Sequence, residues 1–145
     1  MKPTIICVLI LSTLIFFGCK KNESINHLSP SEIQERLEAW KVASNVSSSE
    51  QIFGEWKATT KDMPDGSKLV EWVRRFDKEG AVVESIASSE WATGPIRYFR
   101  IEKSRLFVSD SPDEKSHEEG EIRTSKGLLF LKMNEGIYVF KQIQK

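Results

Sequence analysis

Apolar and polar positions alternate with period two over most of the chain from Gln51 onward. Side chains on a strand point to opposite faces in turn, so this period predicts half-buried β-strands. The pattern predicts strands over residues 52–60, 68–77, 81–91, 96–103, 106–109, 118–124, 128–133 and 137–143. Alternation is clearest at the two ends. Ile52, Gly54, Trp56 and Ala58 share one face of the first strand, with Glu55, Lys57 and Thr59 on the other. In the last, Tyr138 and Phe140 oppose Val139, Lys141 and Ile143. The links carry turn chemistry. Met63-Pro64-Asp65-Gly66 sets proline and then glycine as a β-turn requires, and Asp77-Lys78-Glu79-Gly80, Ser125-Lys126-Gly127 and Asn134-Glu135-Gly136 are short and end in glycine. Links this short exclude the helical crossovers of parallel sheets. The predicted fold is therefore all-β, a small eight-stranded antiparallel up-and-down barrel. Closure leaves no exposed edges, and eight strands enclose an interior that side chains fill or that holds one small ligand.

Before Gln51 the period changes. Ser29-Pro30-Ser31-Glu32 is a helix start: Ser29 caps, Pro30 suits the first helical position, and Glu32 completes a capping box. Ile33, Leu37 and Trp40 follow on one stripe, with Arg36, Glu38 and Lys41 off it. This predicts one short amphipathic helix that covers an end or open side of the barrel, or that meets a membrane surface or a partner. Residues 44–50 (Ser-Asn-Val-Ser-Ser-Ser-Glu) read as a loop.

Earlier still, Lys2 precedes an apolar run of thirteen residues, Ile5 to Phe17. That is short of the roughly 20 residues that span a bilayer and fits the apolar core of a signal peptide. The run ends in Phe16-Phe17-Gly18-Cys19 and resembles the lipobox of bacterial lipoproteins. Gly18 matches the small residue before the cysteine; Phe16 and Phe17 depart from the usual residues. The resemblance implies cleavage before Cys19, acylation of Cys19 by chains such as palmitate, and an envelope membrane as address, the outer membrane before the inner. The expected organisation is a cleaved signal peptide at 1–18, a tether at 19–28, helix and linker at 29–50, and the barrel at 51–145.

Composition narrows the functions. Cys7 lies in the cleaved segment, so the mature chain keeps only Cys19 and forms neither an internal disulfide nor a thiolate metal site. Without Lys2 the chain carries 20 basic and 21 acidic side chains, a balance that offers no general attraction to nucleic acid. No cofactor motif is present. His27 and His117 stand apart, and no nucleophile-elbow or phosphate-loop motif accompanies them, so no enzyme is expected.

Several short motifs bear on the barrel's family. Gly54-x-Trp56 resembles the Gly-x-Trp signature of lipocalin-like (calycin) barrels. Phe76-Asp77-x-x-Gly80, Gly94-x-x-x-Tyr98 and Tyr138-x-Phe140-Lys141 continue the resemblance in order. It implies a barrel over 51–145 that binds a small apolar or amphipathic ligand, with Trp56 packed beneath a basic residue of the last strand, here Lys141. The Thr-Asp-Tyr motif of the full-length family is not found.

The candidate ligand contacts are Arg74, Arg100, Trp72 and Tyr98. Arg74 shares a face with Val70, Trp72 and Phe76, and Arg100 with Ile96 and Tyr98. An arginine facing inward suits a carboxylate or phosphate by bidentate bonding. The competing expectation is arginine in solvent, paired with Glu71, Glu84, Glu90 or Glu102. Trp56 reads as core: burying one tryptophan is worth about 4–6 kcal/mol as an upper estimate. Asp110, Asp113, Glu114, His117, Glu118 and Glu119 read as a solvated acidic loop, their spacing matching no metal-ligand pattern. Two functions remain in play: a membrane-anchored ligand carrier, and an interaction module (inhibitor, adhesin or assembly factor) with a barrel filled by its own side chains. Oligomeric state is left open.

Overall fold

The computed structural model describes residues 28–59, 62–63, 71–87 and 91–144. Cys19, His27, the Pro64-Asp65-Gly66 turn and Glu90 lie outside the described residues. Helix α1 (Pro30–Val42) precedes β1 (Ser44–Asn45), a single 3-10 turn (Ser49–Ile52), and strands β2 (Gly54–Thr59), β3 (Glu71–Phe76), β4 (Ala81–Ala87), β5 (Trp91–Thr93), β6 (Arg97–Glu102), β7 (Arg105–Ser109), β8 (His117–Ser125), β9 (Leu128–Met133) and β10 (Gly136–Gln142). All pairings are antiparallel. Each of β2, β3, β4, β6, β7, β8, β9 and β10 pairs with the next, and β10 returns to β2 through Lys141↔Lys57 and Gln142↔Trp56. The fold is thus a closed eight-stranded up-and-down barrel preceded by one helix, compatible with a lipocalin-like fold.

Two short strands depart from the sequence expectation. The segment expected as one strand over 81–91 folds back: β4 ends at Ala87 and β5 returns along it, Ala87↔Trp91. β5 and β6 then share one edge of β4, through Ser85↔Thr93 and Val82↔Arg97, and the gap between them holds Gly94 and Pro95. Proline has no N–H for the ladder, so pairing stops there. The expected loop at 44–50 contains β1. β8 is longer than β7, and their pairing stops at Arg105↔Glu121. β1 continues that edge through Asn45↔Arg123 and Ser44↔Thr124.

The capping box forms as expected: the Glu32 amide donates to Ser29 Oγ at 3.3 Å and the Ser29 amide to Glu32 Oε2 at 2.7 Å. α1 lies outside the barrel, against Phe130, Ile137 and Val139 of the β9–β10 hairpin, with Trp40 as its buried anchor. Arg123 crosses the Trp40 ring at 4.5 Å and donates to the Trp40 carbonyl at 3.1 Å. Arg36, though off the apolar stripe, is the other fastener. It donates to the carbonyls of Asp62 at 2.6 Å and Ile137 at 3.1 Å, and burial lowers its pKa while Asp62 opposes the shift.

Inside the barrel, Trp56, Phe76, Val82, Phe99, Leu106, Val108, Ile122, Leu129, Leu131, Tyr138 and Phe140 form one buried cluster. Ala58 is register partner of Trp72, and its single methyl leaves room above it. Trp72 spans that space to meet Phe140 edge-on at 5.2 Å and Tyr138 at 5.7 Å between ring centroids.

Candidate functional site: a charged cluster inside the barrel

Four charged side chains from four strands meet inside the barrel. Trp72, Arg74 and Phe76 alternate onto the inner face of β3, which leaves Arg74 only 2 % exposed. Its register partner on β4 is Glu84, to which the Arg74 Nε donates. Arg97, at the start of β6, donates from Nη2 to the other oxygen of Glu84. Glu119 of β8 closes the ring: it accepts from Arg74 Nη2 at 2.6 Å and lies 3.7 Å from Arg97 Nη1. Two guanidinium groups and two carboxylates neutralise one another, none of them more than 19 % exposed. Desolvating such charges is costly, and only mutual pairing offsets it.

Glu119 arrives by way of a bulge. Leu106 pairs with Gly120 and Phe107 with Glu118, so Glu119 is the unpaired extra residue. A bulge re-aims a side chain that strict alternation would send to the other face. Glu118, its neighbour, stays outside and pairs with Arg105. Gly120 is obligatory at this point: a Cβ there would lie 3.1 Å from the Lys132 carbonyl carbon and closer still to its oxygen.

The sequence-derived candidates divide between two places. Arg74 and Trp72 stand together inside, the Arg74 Cζ lying 4.8 Å from the Trp72 ring centre. Trp72 Nε1 and Arg74 Nη1 are both buried without a hydrogen-bond partner among the described residues. The stacking gives the guanidinium a π-face to meet. Arg100 and Tyr98 lie on the opposite face of β6, bordering an outer cleft of about 320 Å3. Arg100 is exposed there, crosses Phe107 at 4.5 Å, and binds Glu102 at 3.0 Å and Ser116 Oγ at 2.6 Å. The inward arginine of β6 is Arg97, its neighbours in parity being Phe99 and Ile101. Arg75 faces outward and is exposed. Of the expected glutamate partners, Glu84 pairs inside, Glu102 outside, and Glu71 with Lys57 at 3.2 Å.

The signature triplet also resolves. Trp56 is buried at 3 % exposure and donates from Nε1 to the Ile52 carbonyl at 2.7 Å. Lys141 does not cover it. That lysine is register partner of Lys57 on the outer face, 66 % exposed and 3.8 Å from Asp62. The basic residue beside Trp56 on the inner face is its register partner Arg74. At Gly54 the constraint is conformational and not steric. The nearest contact for an added Cβ is an ordinary 3.7 Å, and what demands glycine is a φ of +122°.

The acidic stretch is not one solvated loop. Glu119 belongs to the interior, and no group of three or more His, Cys, Asp or Glu side chains among the described residues is placed to hold a metal ion. Among the described residues, no helix is long and apolar enough to cross a membrane. Compared with known protein families, curated proteins and solved structures, the chain matches none.

Proposed function

We propose that this chain is an envelope lipoprotein, anchored through acylated Cys19, whose barrel is a non-enzymatic interaction module acting through its outer surface as an inhibitor, adhesin or assembly factor. The observation that carries this reading is the content of the barrel. Aromatic and aliphatic side chains from all eight strands, with the Arg74–Glu84–Arg97–Glu119 cluster, occupy the space a carrier would give its ligand. A carrier pocket is apolar with a few convergent polar groups; here the convergent groups bind one another. Arg100, Tyr98 and Phe107 on the outer face are of the residue types that dominate protein–protein contacts.

A second reading is a carrier of a small apolar or amphipathic ligand, and it is favoured by the buried donors of Arg74 and Trp72 that meet no partner among the described residues. Native mass spectrometry of the protein purified from its host envelope separates the two. The interaction reading expects the mass of the acylated chain alone; a co-purifying small molecule in stoichiometric amount transfers the assignment to the carrier. For the anchor, Cys19→Ala is expected to move the protein from the membrane to the soluble fraction. Retention in the membrane would overturn the lipoprotein reading.

A further inference from the structure

We infer that the end of the barrel carrying the β9–β10 turn docks against the lipid surface, with a cleft beside α1 taking up part of an acyl chain. This rests on the anchoring through Cys19 proposed above. The cleft has a volume of about 190 Å3 and lies between the start of α1 and residues 132–137. Its apolar walls are Leu28, Ile33 and Leu37 on one side and Met133 and Ile137 on the other, and Arg36, Lys132, Asn134 and Glu135 supply its polar lining.

Three observations commit it to lipid. First, Leu28 is buried and forms one wall, so the chain leading from the anchor joins the body of the protein at the cleft itself. Second, the nine residues from Lys20 to Leu28 reach at most roughly 30 Å when fully extended. Third, in an up-and-down barrel successive links alternate between the two ends. The β9–β10 turn therefore lies at the end opposite the turns joining β3 to β4, β6 to β7 and β8 to β9. A strand of six or seven residues spans about 20 Å. The tether thus enters the body at the cleft end, and its short length keeps the local lipid concentration high there. An exposed apolar cleft is a liability facing water and an asset facing acyl chains.

The test uses the acylated protein in vesicles of phosphatidylethanolamine and phosphatidylglycerol that carry a nitroxide near the top of the acyl chain. Once Cys19 is acylated the mature chain has no other cysteine, so Asn134→Cys and Lys78→Cys each accept a single fluorophore, at opposite ends of the barrel. The expected result is at least twofold stronger quenching at 134 than at 78. Adding Ile33→Glu should abolish the difference while the protein still floats with the vesicles. Equal quenching at both ends, or a difference that survives Ile33→Glu, overturns the docking while leaving the anchor intact. If intact mass shows no acyl group on Cys19, or the protein does not float with vesicles, the anchor has failed and the docking falls with it.

Discussion

Glu84 holds the charged cluster together, because its two oxygens serve two different arginines. Replacing it with alanine leaves Arg74 with Glu119 alone and Arg97 with a carboxylate 3.7 Å away. Arg74 cannot escape to solvent at 2 % exposure, so its charge is left partly uncompensated inside the barrel. Breaking a buried pair from one side costs about 3–5 kcal/mol. A small domain has only about 5–15 kcal/mol in total. At about 4 °C per kcal/mol for a domain near this size, the midpoint should fall by roughly 12–20 °C. Urea unfolding followed by tryptophan fluorescence and a thermal melt measure both. The loss should persist at 1 M salt, since a buried pair is screened far less than a surface one. The double variant Arg74→Met, Glu84→Leu removes both charges and should cost less than the two single changes added together, because neither partner is then stranded. A loss below about 1 kcal/mol for Glu84→Ala, or strict additivity in the double variant, would refute the buried cluster.

Two other perturbations probe how the barrel is closed and covered. Gly120→Ala forces a methyl group into the Lys132 backbone and should destabilise by about 1–3 kcal/mol, measured by urea unfolding, whereas Gly127→Ala meets no atom within 4 Å and should cost only the strain of its positive φ. Trp40→Ala should cost about 3–5 kcal/mol at most, and hydrogen exchange should accelerate in α1 and β1 while the interior strands stay protected, since Trp40 packs on the outside of the hairpin.

Much of the fold is written locally. Ser29, Pro30 and Glu32 specify the start of α1 because a capping box is a contact within four residues. The turn at Asp77–Gly80 is equally local, with the Asp77 carboxylate accepting from the Glu79 amide at 3.0 Å and the Ala81 amide at 2.7 Å. Alternation places eight strands in order, and short links leave antiparallel pairing as the way to connect them. β1 is different: it exists because β8 outruns β7, a fact about two other strands.

The charged cluster was legible by halves. Arg74 stood out as an arginine among Trp72 and Phe76, and parity places it correctly on the inner face. On β6 parity alone cannot choose a face, because Tyr98 on one side and Phe99 on the other are both aromatic. The choice fell to the neighbours: Phe99 packs on Phe76 at 4.8 Å, which turns Arg97 inward and Arg100 out. Glu119 was hidden by the bulge, which shifts the parity of β8 by one residue. The only local signal was Gly120 beside it, a glycine inside a strand, which marks a bulge or a close backbone approach. So the sequence by itself determined the order of the eight barrel strands, the turns ending at Gly80, Gly127 and Gly136, and the helix start, but not the fold-back from β4 to β5; what it determined is set by contacts between residues near one another along the chain. Which residues are enclosed was decided only when β10 met β2 and the barrel closed. Closure brings Arg74 and Glu119, 45 residues apart, within hydrogen-bond reach, and no periodicity along one strand encodes that distance.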